Sequence, residues 1–87
     1  MKYTVHFAND GGATTIATFD AVAMTVSSPD GRSGTYTRDE PARMLHLKGD
    51  QDVSITFAEN IERKVGFSTR YSTNDGRSGL ATIMAVE

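Results

Sequence analysis

The sequence predicts an all-β domain of about eight short antiparallel strands, joined as hairpins into a sandwich or small barrel, with at most one short helical turn near Pro41. Three observations predict it. Apolar and polar residues alternate over short runs, the period of a strand that buries one face. Clusters of Gly, Asn, Asp, Ser and Pro separate those runs at hairpin spacing. One such cluster occurs twice, as Asp30-Gly31-Arg32-Ser33-Gly34 and as Asp75-Gly76-Arg77-Ser78-Gly79. Asp-Gly between alternating runs is a strong hairpin signal, because Gly supplies the positive φ of a tight turn.

Taken in order, Tyr3, Val5 and Phe7 alternate with Lys2, Thr4 and His6 as a first strand, turned by Asn9-Asp10-Gly11-Gly12. Ile16, Phe19, Ala23 and Val26 would also line a helix. The β-branched Thr14, Thr15, Thr18, Thr25 and Val26 favour two strands instead, at 13–19 and 21–28, broken at Asp20. Ser33 to Arg38 returns with Tyr36 on one face. Asp39-Glu40-Pro41 stops it, and Pro41 to Met44 reads as a helical turn. Leu45 and Leu47 mark a fifth strand, closed by Gly49-Asp50-Gln51-Asp52, and Val53, Ile55 and Phe57 mark the sixth. The seventh is expected from Glu62 to Ser72 and the eighth from Leu80 to Val86. Val5, Phe7, Val53, Ile55, Phe57 and Phe67 are the expected core. In an up-and-down order all four turns named here, including both repeats, fall at one end.

A chain of 87 residues makes one domain, 1–87, with few large apolar side chains: four Phe, three Tyr and no Trp. A core that thin favours association, so a homodimer or a bound protein partner is expected, with Thr35 to Thr37 and Ala81 to Val86 as candidate edge strands. No Cys is present, which excludes a disulfide scaffold, a thiolate metal site and a cysteine nucleophile. The first residues carry no unbroken apolar run, so a cytoplasmic protein without a membrane span is expected. With a net charge of -2 the chain lacks the basic surplus of a nucleic-acid binder.

Several constellations have plainer readings. His6 and His46 lack a third ligand or a nucleophile beside them, and no Ser sits in a nucleophile elbow. Asp10, Asp30, Asp50, Asp52 and Asp75 lack calcium-loop spacing. Lys64-Val65-Gly66-Phe67 with Tyr36 and Tyr71 falls short of the aromatic pattern of single-strand-binding barrels. No catalytic residue, metal ligand or cofactor follows. The expected function is binding: a non-enzymatic inhibitor of the immunity or phage anti-defence type, acting through its turn-rich end or an exposed edge. The alternative is a module for a sugar, nucleotide or metal, and behind it a single-stranded nucleic-acid-binding barrel. In the first reading the repeated turns set Arg32 and Arg77 side by side, with Asp30 and Asp75, as the partner-binding residues, since turn geometry calls for Asp and Gly but not for Arg. The repeat also raises duplication of a two-hairpin unit, with His6-Phe7-Ala8-Asn9 set against Thr56-Phe57-Ala58-Glu59-Asn60.

Overall fold

The computed structural model describes residues 1–49 and 52–87. They form β1 (Lys2–Asn9), β2 (Thr14–Asp20), β3 (Thr25–Ser27), β4 (Ser33–Asp39), β5 (Met44–Lys48), β6 (Val53–Phe57), β7 (Ser68–Thr73) and β8 (Ser78–Val86). Each strand pairs antiparallel with the next, and β8 returns to pair with β1, closing a barrel. A closed meander resolves the choice between sandwich and barrel.

Pro41 does not start a helix, and no helix occurs among the described residues. Glu40 to Arg43 form a turn, capped where the Asp39 carboxylate accepts from the Ala42 N–H at 3.2 Å. The third strand is shorter than 21–28, because Asp20 accepts from the N–H groups of Val22 and Ala23 and folds Ala21 to Met24 into a turn. The seventh begins only at Ser68. Thr35 to Thr37 and Ala81 to Val86 were expected as edges, but β4 pairs with β3 and β5, and β8 with β7 and β1. Pairing covers Thr35 to Thr37 and Ala81 to Ile83, while Met84 to Val86 pair with β1 alone among the described residues.

The alternation on each strand sends one parity inward. Val5, Phe7, Ile55 and Phe57 are buried as expected, while Val53 and Phe67 pack half-buried at the margin. Phe19 is fully buried, stacked on Tyr3 at 5.3 Å and met edge-on by Tyr36 at 5.1 Å. One end of the interior is plugged by the long connection after β6. Ile61 tucks beneath the core, Arg38 donates to its carbonyl at 3.1 Å, and Arg63 lies over the Tyr3 ring. Burial, with the Tyr36 phenol beside it, pushes the Tyr3 phenol well above the ordinary tyrosine range. The opposite end holds the turns after β1, β3 and β7 and stays open. Asp50 and Gln51, in the turn expected after β5, lie outside the described residues.

The barrel also has an approximate internal two-fold. β1 to β4 and β5 to β8 repeat the same order, and the inward residues correspond in register: Val5 and Phe7 on β1 with Leu45 and Leu47 on β5, and Ala17 and Phe19 on β2 with Ile55 and Phe57 on β6. The correspondence of Phe7 with Phe57 fails, since Phe7 lies toward the open end and Phe57 at the plugged one.

Candidate functional site at the open mouth

Each repeated turn is built by the same hydrogen bonds, and they reach further than the pentapeptide. In the β3–β4 turn the Ser28 hydroxyl donates to the Asp30 carboxylate, Ser28 N–H donates to Arg32 C=O at 2.9 Å, and Gly31 N–H donates to Ser28 C=O. In the β7–β8 turn Thr73 takes the place of Ser28: its hydroxyl donates to Asp75, its N–H to Arg77 C=O at 2.8 Å, and Gly76 N–H donates to its C=O. Gly31 and Gly76 have φ of 89° and 91°, which accounts for the first Gly.

The Arg that turn geometry left unexplained is accounted for inside the turn. Arg32 Nε donates to Asp30 at 2.9 Å, and Arg77 donates to Asp75 through Nε at 3.1 Å and Nη2 at 2.9 Å. The second Gly is a matter of space. A Cβ on Gly34 would overlap the Lys48 carbonyl of β5, and one on Gly79 the Ala8 carbonyl of β1. The two turns are four strands apart in an eight-stranded barrel, so Arg32 and Arg77 face each other across the mouth, not side by side.

These bonds set the acidity of the rim. The Arg77 guanidinium, then the Thr73 hydroxyl, hold the Asp75 carboxyl down to about 2. The Ser28 hydroxyl leads the lowering of Asp30, and bidentate Arg70, at 3.1 and 2.7 Å, leads that of Asp10. A carboxyl lowered by folding adds stability that is whole above its unfolded value, near 3.8, and drains away as pH falls toward the folded one. Acid titration followed by circular dichroism is therefore expected to show loss beginning below about pH 4, and Asp75→Asn is expected to flatten the slope between there and pH 2. An unchanged slope would remove the ionised turn from the stability of the fold.

Inside the rim lies a cavity of about 150 Å³. Its walls are Phe7, Ala17, Leu47, Val53, Ile55 and Tyr71, and its polar margin is Asn9, Thr15, Thr73 and Arg77. Phe7 and Tyr71 meet edge-on at 5.1 Å and form one wall. The internal two-fold explains the empty space: where β6 fills its side with Val53 and Ile55, β2 offers only Thr15 and Ala17. Beside the cavity a concavity of about 430 Å³ runs between β2 and the β3–β4 turn, lined in part by Thr15, Ser28, Arg32, Lys48 and Arg77.

The other sequence candidates stay apart. β1 and β5 are not neighbours, so His6 and His46 do not meet, and His46 Nδ1 bonds the Ser54 hydroxyl at 3.0 Å. Asp10, Asp30 and Asp75 are each engaged in separate contacts. No cluster of three metal-ligating side chains occurs among the described residues, and Asp50 lies outside them. Lys64 to Phe67 belong to the irregular connection before β7 rather than to a stacking strand. Sequence reasoning missed the hydroxyls of Ser28 and Thr73 and the packing role of Gly34 and Gly79. The matching lead-ins Ser27-Ser28-Pro29 and Ser72-Thr73-Asn74 were legible as a repeated context, but not the bonds their hydroxyls make. No family model, curated protein or solved structure matches the chain, and the functional reading rests on this geometry.

Proposed function

We propose that the protein is a non-enzymatic binding module that takes one small apolar group into the mouth of its barrel. The observation that carries this reading is the cavity of about 150 Å³, apolar in its depth and polar at its margin. An eight-stranded barrel has room for its own side chains or for one small ligand, and an apolar cavity of about 150 Å³ accommodates a benzene-sized group. Asp75 already neutralises Arg77, so the guanidinium suits an uncharged acceptor such as a carbonyl better than a second carboxylate. Binding rather than chemistry is supported by the lining, which holds no His, carboxylate or Lys among the described residues.

Toluene and indole are expected to raise the melting temperature of the parent, since a ligand bound only to the native state stabilises it. Ala17→Leu, which places bulk where the cavity is thin-walled, is expected to abolish that rise while the β spectrum persists. No rise in the parent would sink the reading. A protein partner gripping the turn-rich end, in the manner of a small inhibitor, immunity or phage anti-defence protein, is the second reading. It is favoured by Lys48, which lines the concavity beside the cavity with no ion pair among the described residues.

A further inference from the structure

The barrel is closed, but one of its seams is only half sewn. β2 pairs with β1 from Thr14 to Asp20, yet with β3 only from Thr18 to Asp20. Past Ser27 the chain leaves β2 and folds into the β3–β4 turn, so Thr14 to Ala17 have no strand on that side among the described residues. The hydrogen-bond parity identifies the free groups. Asn9 N–H donates to Ala13 C=O at 2.8 Å, so the odd positions Ala13, Thr15 and Ala17 exchange bonds with β1. Thr14 and Ile16 therefore aim their N–H and C=O away from β1, into the seam. The concavity of about 430 Å³ lies along this edge.

We propose that this seam is a docking site for an extended peptide segment of a partner protein, carrying acidic residues, that adds a strand to β2 at Thr14 to Ala17. Two donor–acceptor pairs two residues apart on one edge repeat at roughly 7 Å, a spacing that an extended backbone reproduces. Charge selects the partner. Lys48 lines the concavity with no carboxylate among its lining residues and no ion pair among the described residues, while Arg32 and Arg77 beside it are held by Asp30 and Asp75 of their own turns. A second copy of this chain fits less well, because two β2 edges paired about a two-fold would bring both sets of cations together. The proposal goes beyond the cavity reading and rests on backbone groups that reading does not use.

The test begins with a displayed library of octapeptides alternating Val or Leu with Asp or Glu, and a matched library with Lys or Arg as control. Binders are expected from the acidic library. The best binder is then resynthesised with alternate backbone nitrogens methylated in each of the two parities. One parity is expected to lose at least about tenfold in affinity, since it removes the donors that meet Thr14 and Ile16 while the side chains stay. Ile16→Pro, which removes an N–H that β1 does not use, is expected to lose peptide binding by a similar factor. Its toluene response should survive, so that failure of the strand site and failure of the cavity are read separately. If Ile16→Pro does not fold, methylation of the peptide alone decides. An acidic library without binders, binding indifferent to methylation in both parities, or light scattering that reports a dimer abolished by Ile16→Pro would overturn the proposal.

Discussion

Phe19→Ala is expected to cost the barrel about 3 to 5 kcal/mol, the range for a buried aromatic truncated in a core that closes only partly around the void. Phe19 has no exposed surface, and it is the ring on which two other aromatics of the plugged end converge, Tyr3 stacked and Tyr36 edge-on. Its removal takes away its own burial and both ring contacts, and it leaves the phenol of Tyr36 beside a void. That phenol makes no hydrogen bond among the described residues, so it gains nothing to offset the loss. The barrel wall cannot collapse to fill the space, because β2 is held to β1 at the same position, Tyr3 opposite Phe19. Urea denaturation of the variant, compared with the parent at equal m-value, measures the cost. A loss under about 1 kcal/mol would mean that the plugged end is not packed as described.

Gly79→Ala is expected to be comparably damaging, about 3 kcal/mol or more, although it adds one carbon. The added Cβ would overlap the Ala8 carbonyl oxygen and stand 2.8 Å from its carbon and 2.9 Å from the Asn9 Cα. All of these are backbone atoms of the neighbouring strand, and no rotamer change relieves the contact. Either β8 moves off β1 at the mouth, opening the barrel where its two ends meet, or the variant does not fold. Gly76→Ala, three residues earlier, is the informative comparison. Nothing lies within 4 Å of its would-be Cβ, so only the positive φ of 91° opposes it, at about 1 to 2 kcal/mol. If Gly76→Ala proves the worse of the two, the second Gly of the repeat is turn chemistry rather than strand packing. Gly34→Ala should follow Gly79→Ala, since its Cβ meets the Lys48 backbone in the same way.

What the sequence revealed was what neighbouring residues decide. Alternation along β1 and β6 and the two Asp-Gly turns are local, and so the strands and the inward parity of Val5, Phe7, Ile55 and Phe57 were legible. Closure was not. Whether β8 finds β1 depends on tilt and register accumulated around eight strands, which no window of sequence contains. The edge assigned to β8 therefore shrank to Met84 to Val86, while an unassigned one appeared on β2, where a hydrogen-bonded turn pulls β3 away. The cavity was invisible for a related reason: Thr15 and Ala17 are unremarkable until they stand opposite Leu47, Val53 and Ile55. Arg32 and Arg77 were visible, but their bonds within the turn were not. An Arg two residues after an Asp in a tight turn reaches back to it, and that possibility was readable before any search for a distant partner.

The pairing of β1 with β8 also governs how fast the molecule can form. Every other ladder is a hairpin between sequential strands, whereas this one joins opposite ends of the chain, where Lys2 and Glu87 exchange backbone bonds at 3.2 and 2.7 Å. Its loop entropy must be met before its contacts reward it, which makes it the natural late step of folding. Linking Glu87 to Met1 and opening the chain between Glu40 and Pro41 would turn β8–β1 into a hairpin and make β4–β5 the long-range closure. Because the internal two-fold matches β4–β5 with β8–β1, the permutant has nearly the same topology as the parent. Stopped-flow refolding is expected to find the two rates within a few-fold of each other, and a large acceleration would show that the two closures are not equivalent.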